Sequence, residues 1–166
     1  MKNIVLIGMM GSGKSTAAKA LAEVLKRKLF STDAMIEKKT KSTVAQLVAR
    51  QGWEYFRSLE HKMVLHLAKK KGVIIDCGGG VVLNPKNLQV LKKGGIIFFL
   101  KATPAVIYKR IKHDKNRPLV DVANPLAEIK RIYKNRLPLY NQADFIINAS
   151  GASMKGPVAQ ICRKVN

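Results

Sequence analysis

One stretch near the start of this chain constrains its fold more than any other: Gly8-Met9-Met10-Gly11-Ser12-Gly13-Lys14-Ser15, followed by Thr16. It fits the pattern G-x-x-x-x-G-K-[ST]. The context fits as well, because the apolar run Ile4-Val5-Leu6-Ile7 reads as a buried strand and an amphipathic helical pattern follows. Glycines here let backbone N–H groups turn inward around phosphate oxygens, and the helix that starts at the loop adds its positive end. Lys14 can bridge a β- and a γ-phosphate, and the Ser15 hydroxyl suits Mg²⁺. With Gly11, Ser12, Gly13 and Thr16 they form a cradle for a nucleoside triphosphate, ATP being the expected one. A plain glycine turn before a helix would need neither the lysine nor the serine.

The rest of the chain reads as the α/β domain that such a loop belongs to. Its 166 residues suit one domain with a core of its own, taken here as 1–166, and no repeat or linker divides it. Apolar β-rich runs at 3–7, 73–76, 96–100 and 145–148, with a shorter one ending near Phe30, predict strands. Helical period predicts helices at 14–28, 43–51, 54–71, 87–92, 104–113, 125–137 and 157–165. Strands apolar on both faces, alternating with helices, point to a parallel sheet covered on each side. Thr103-Pro104 and Asn124-Pro125 each put a capping residue before a first-turn proline. The stretch from His113 to Asn124 has little apolar period and is expected to be an exposed, mobile loop.

Charge narrows the partners. Lys and Arg number 31 against 10 Asp and Glu, a net +21, which favours anionic ligands. Much of the surplus stands in Lys26-Arg27-Lys28, Lys38-Lys39, Lys69-Lys70-Lys71 and Lys92-Lys93, near predicted helix ends, where cations suit the dipole. No run approaches the ~18 apolar residues of a membrane span, no secretory cleavage pattern is present, and Cys77 and Cys162 are too few for a disulfide scaffold. The expectation is a cytoplasmic protein without membrane contact. His61, His66 and His113 lack metal-site spacing.

Beyond the loop, several motifs follow in order: Ser31-Thr32-Asp33 with Ile36-Glu37, Phe56-Arg57 with Glu60, Gly78-Gly79-Gly80, Arg110, Arg117-Pro118-Leu119 and Arg136-Leu137-Pro138-Leu139-Tyr140. With this order and spacing the sequence resembles the shikimate kinases over nearly its whole length. The resemblance implies a three-layer P-loop kinase fold, a five-stranded parallel sheet flanked by helices, with a mobile lid at about 112–124. It implies transfer of the ATP γ-phosphoryl to the 3-hydroxyl of shikimate, giving shikimate 3-phosphate and ADP on the route to chorismate and the aromatic amino acids. Arg57 and Arg136 would grip the carboxylate with planar forks of donors. Asp33 would orient the hydroxyl and take its proton. Gly78, Gly79 and Gly80 would leave room for substrate beside backbone donors, Gly79 foremost. Glu60 would hold Arg57. Arg117 would come from the lid to the phosphates, joining Lys14 and Asp33 as catalytic residues, while Arg110 and Lys155 would face the nucleotide. A monomer is expected, and nucleic acid is not expected as partner, since no aromatic–basic signature accompanies the charge.

The sequence departs from the family at Ser31, where many members carry an aspartate that helps hold Mg²⁺ through water. Asp76, at the end of a strand, stands where P-loop enzymes place an acidic residue. Two roles fit it: outer contact to the metal beside Ser15, or a hydrogen bond to Ser15 or backbone with no part in metal binding. Two other functions remain open on sequence alone: a related small-metabolite kinase for gluconate or a nucleotide, and a basic nucleic-acid module with ATP as a ligand. ADP release across an acceptor panel separates the first, and salt dependence of binding the second.

Overall fold

The computed structural model describes residues 1–114 and 123–165. Five strands, β1 (Asn3–Ile7), β2 (Leu29–Ser31), β3 (Ile74–Asp76), β4 (Gly95–Lys101) and β5 (Phe145–Asn148), form one parallel sheet in the order β2-β3-β1-β4-β5. Every residue of β1 is buried. Alternation sends Val5 and Ile7 into one core and Ile4 and Leu6 into the other. Helices α1 (Lys14–Leu25) and α7 (Lys155–Val165) cover the Ile4 and Leu6 face. On the Val5 and Ile7 face pack α3 (Val44–Ala68), α4 (Pro85–Gly94), α5 (Pro104–Ile111) and α6 (Pro125–Tyr140). From β1 the chain turns first to β2 and β3 on one side, then to β4 and β5 on the other. The loop after β1 therefore lies at the switch in strand order, the crevice where open parallel sheets hold ligands.

The structure adds α2 (Thr32–Thr40), which apolar period does not disclose because only Thr32 and Ile36 are buried in it. Its signals are polar: Ser31 caps it by accepting from the Ala34 N–H at 3.4 Å, Asp33 lies in its first turn, and Lys38 and Lys39 in its last. The expected helices at 43–51 and 54–71 join as α3, bent at Gly52, whose φ of 81° belongs to the left-handed region. Helix α3 opens on a reciprocal cap between Thr43 and Gln46. Helix α4 starts at Pro85 behind the Asn84 cap, and α7 at Lys155, each two residues before the expected start. Helix α6 runs on through Pro138 to Tyr140. A proline in the last turn forfeits one intrahelical bond, and the continuation brings Tyr140 to the site.

Of the expected lid, Lys112, His113, Asp114, Ala123 and Asn124 are described, with Lys112 capping α5. Arg117 lies outside the described residues.

Candidate active site

The carboxyl ends of β1, β2 and β3 bring together the chemistry that the sequence scatters. Gly8, Gly11 and Gly13 carry φ of 147°, 73° and 95°, values that let the loop wrap inward. A Cβ at Gly8 would lie 2.7 Å from the Leu100 carbonyl oxygen, so strand β4 leaves no space for a side chain there. Lys14 is buried and donates from Nζ to the Met9 carbonyl at 3.1 Å, which holds the ammonium over the loop. Ser15 Oγ donates to Asp76 Oδ2 at 2.7 Å. An open cleft of about 560 Å³ runs from this loop past Ser31, Asp33 and Glu37 to Asp76 through Gly79, with Arg110 and Asp114 opposite.

The acceptor half gathers around the glycine run. A Cβ on Gly78 would meet Asp33 Oδ1 at 2.5 Å and Glu60 Oε1 at 2.8 Å, and one on Gly80 would overlap the Arg57 guanidinium. Two of the three glycines thus make room for the protein's own charged groups, a tighter reason than the space for substrate expected from sequence. Gly79 packs on the phosphate loop instead, with Met10 N 3.2 Å from its notional Cβ. The Gly78 N–H is taken by Thr32 Oγ1 at 2.9 Å. The Gly79 carbonyl accepts from Tyr140 Oη at 2.5 Å and Arg136 Nη1 at 3.4 Å. Arg57 Nη1 bonds Glu60 Oε2 at 2.8 Å, and its guanidinium lies 5.1 Å from the Trp53 ring and 5.2 Å from Phe56. Those rings, one turn and one residue before Arg57, hold the fork by cation–π contact.

Burial raises the Asp33 pKa above the ordinary carboxylate value. Asp76 and Glu37 push the same way, while Lys14 and Arg57 pull it down. Glu60, 1% exposed, is also raised by burial, against the pull of Arg57 and Arg136. Asp33 Oδ1 and Glu60 Oε1 are buried without hydrogen-bond partners among the described residues. A buried polar oxygen left so costs about 1–3 kcal/mol, and both of these face Gly78. Burial pushes the Cys77 thiol well above its usual range, so it stays protonated.

Some sequence expectations land elsewhere. Arg110 lines the cleft, yet its guanidinium bonds backbone: Gly11 O at 3.2 Å, Ala149 O at 2.8 Å and Gly151 O at 2.7 Å. It ties the phosphate loop to the turn after β5. Lys155 is an exposed first residue of α7 and does not line the cleft. Sequence reasoning passed over Thr32, Trp53 as a support for Arg57, and Met154, whose sulfur would lie 2.9 Å from a Gly13 Cβ. For Trp53 the i−4 spacing to Arg57 was the available signal. His61 pairs with Asn87 Oδ1 at 2.6 Å, and among the described residues no His, Cys, Asp or Glu cluster could by itself hold a metal.

Comparison with known proteins agrees with this geometry. A family model described as shikimate kinase matches residues 10–166. A shikimate kinase of Pelotomaculum thermopropionicum is 45% identical over 161 residues, 97% of this chain and 94% of the relative. One of Thermodesulfovibrio yellowstonii is 40% identical over 164 residues, 99% of this chain and 95% of the relative. The solved structure of a shikimate kinase from Acinetobacter baumannii in complex with shikimate matches with a TM-score of 0.94 at 32% identity, covering 99% of this chain and 93% of that one. A deoxyadenosine kinase of M. mycoides, 14% identical with a TM-score of 0.65, shares the fold alone. No helix among the described residues is long and apolar enough to cross a membrane.

Proposed function

The chain belongs to the shikimate kinase family, and from that premise we propose how its own residues move the γ-phosphoryl of ATP to the 3-hydroxyl of shikimate, releasing ADP and shikimate 3-phosphate. The observation that carries the proposal is Asp33, which lines the cleft beside the phosphate loop and whose Oδ1 is turned inward against Gly78 and buried without a partner. A hydroxyl of the acceptor that donates to this carboxylate from the cleft is thereby aimed at the γ-phosphorus. A raised pKa suits Asp33 to take the hydroxyl proton as the new P–O bond forms. Phosphoryl transfer has little covalent chemistry for side chains to do, so alignment and charge carry the rate. Arg57, aimed by Glu60, Trp53 and Phe56, and Arg136, propped on the Gly79 carbonyl beside Tyr140, hold the acid's carboxylate.

Lys14 and the amides of Gly11 to Thr16 hold the phosphates. Arg117 adds charge from outside the described residues, and Arg110 keeps the loop in place for the nucleotide. The hydroxyl of Ser15 and the carboxylate of Asp76, 2.7 Å apart, are hard oxygen donors of the kind Mg²⁺ takes, with waters and phosphate filling its shell. A Mg²⁺ held there would supply positive charge to the triphosphate. Ser31 is spent on capping α2, so Asp76 is the carboxylate that orients Ser15 and any metal-bound water. The enzyme is read as a cytoplasmic monomer with one kinase domain.

The test is ADP release in a coupled assay with shikimate, gluconate and nucleoside monophosphates as acceptors. Saturation by shikimate alone is expected. Comparable turnover of a neutral sugar or a nucleotide would overturn the reading of Arg57 and Arg136 as carboxylate forks.

A further inference from the structure

The surplus of positive charge remains outside the kinase reaction, and the fold gives it a place. In a parallel sheet all strands start at one edge. Here that edge, opposite the cleft, collects Lys28 before β2, Lys71 before β3, Lys2 before β1 and Lys93 before β4. Backbone bonds stitch these starts together: Ile74 N–H to Lys28 O, Ile4 N–H to Val73 O and Gly72 N–H to Met1 O, while Arg27 donates to Lys2 O. With strands about 4.8 Å apart, the four starts span about 14 Å. Between the end of α1 and the turn before β3 lies an open cleft of about 420 Å³ lined by Lys26, Arg27, Lys28 and Lys71.

Helix dipoles do not account for this row. Their pull fades within the last turn. Lys92 and Lys93 lie in such a turn and Lys26 caps α1, whereas Arg27, Lys28, Lys70 and Lys71 stand beyond the ends of α1 and α3. Internal neutralisation does not account for it either. Asp144, just before β5, accepts from the Ile97 N–H with one oxygen and stands 3.9 Å from Lys92 with the other. Lys2, Lys26, Lys28, Lys71 and Lys93 have no ion pair among the described residues.

We propose that this edge binds nucleic acid by its phosphate backbone, independently of the kinase site. Lysines, which are point charges without a fixed fork, suit phosphates along a chain better than one planar carboxylate. The rings at this edge, Phe30 and Phe145, are covered by Lys70 at 4.9 Å and Lys164 at 4.2 Å, so bases find no stacking platform and binding reads no sequence. The sheet twist turns the row into a curve, which follows a linear polyanion more closely than a flat lipid surface. An acidic protein partner would want a cluster of apolar anchors at the centre of the row; the cleft offers exposed Met1 with half-buried Leu25 and buried Val73 among four cations.

Fluorescence anisotropy with labelled 20-nucleotide RNA and DNA, titrated over a salt series, tests this on the whole enzyme. Micromolar binding is expected, with log K falling steeply against log salt. The triple variant K26E/K28E/K71E should weaken it at least about tenfold and flatten the slope by about 2, near 0.7 per lost phosphate contact. The control triple K62E/K130E/K134E, of equal net charge and exposed on α3 and α6, should stay within about twofold. Both should keep wild-type turnover, which certifies their fold. Equal losses in the two triples would overturn the proposal in favour of bulk charge. So would tighter binding to anionic phosphatidylserine vesicles or to polyglutamate than to RNA, or no saturable binding at all. RNA and DNA binding alike supports it, as does a preference for either.

Discussion

The two halves of the active site are built on opposite principles. The nucleotide half is local and made largely of backbone: one loop between β1 and α1, shaped by three left-handed glycines and completed by Lys14 and Ser15. The acceptor half is assembled from α2, α3, α6 and the turn after β3, and is made of side chains. Its carboxylates are held in a place that disfavours their charge. Asp33 and Glu60 are both raised by burial, each keeps an oxygen unpartnered, and each occupies space that exists because residue 78 is glycine. A phosphate cradle can be stable when empty because its donors are amides already fixed by the fold. An acceptor pocket that must recognise hydroxyls holds unsatisfied charge until they arrive, and the molecule gives up stability for it.

The largest effect is expected where that tension is highest. Asp33→Asn should lower kcat about 10²- to 10⁴-fold by removing the group that aims and deprotonates the hydroxyl, with ATP affinity unchanged. Because the native state holds the Asp33 proton more tightly than the unfolded chain, ionised Asp33 lowers stability at neutral pH, and the deficit closes as pH falls through the raised pKa. Removing that charge should therefore raise Tm, by about 2–4 °C for about 1 kcal/mol in a chain of this size. For the same reason the acid limb of kcat/KM for shikimate should lie above the ordinary aspartate range, a limb that ATP binding does not share. A lower Tm with weaker ATP binding would break the division into halves. Lys14→Met comes next, with kcat down about 10²- to 10³-fold and shikimate affinity unmoved in a direct titration.

Arg136→Ala should raise KM for shikimate about 10- to 100-fold, the worth of a charged hydrogen-bonded fork, and leave KM for ATP within twofold. Arg57→Ala is the less clean probe because it strands buried Glu60 beside it. Asp76→Asn tests the nucleotide side. The Mg²⁺ concentration for half-maximal rate should rise about tenfold, and Mg²⁺ binding to the ATP complex, read by calorimetry, should weaken equally. Smallest is Gly80→Ala, which pushes on Arg57 without touching the loop; a several-fold rise in KM for shikimate alone is expected.

The same contrast decides what could be read from the sequence. The cradle was legible because its chemistry is contiguous, from Gly8 to Ser15, and the central strands β1, β3 and β4 because they are apolar on both faces. Helix α2 was not, since its ends are marked by charge and its middle buries little. Arg57 and Arg136 are 79 positions apart. Arg57 stands beyond the bend at Gly52, and Tyr140, which shares the Gly79 carbonyl with Arg136, lies where α6 continues past Pro138; period alone reveals neither. The roles of Trp53, Thr32 and Tyr140 are tertiary. So is the row of lysines at the far edge, three short clusters in sequence and Lys2, which only the parallel sheet brings together.

The account stands on one pairing, that of the acid's carboxylate with the guanidiniums at 57 and 136. Calorimetric titration of shikimate and of its methyl ester onto the wild-type enzyme and Arg136→Ala closes a four-way cycle. The arginine loss should weaken the acid about 10- to 100-fold and the ester, which has no charge to grip, by less than about threefold. Equal weakening of acid and ester would show that Arg136 holds something other than the carboxylate, and the acceptor half would have to be redrawn.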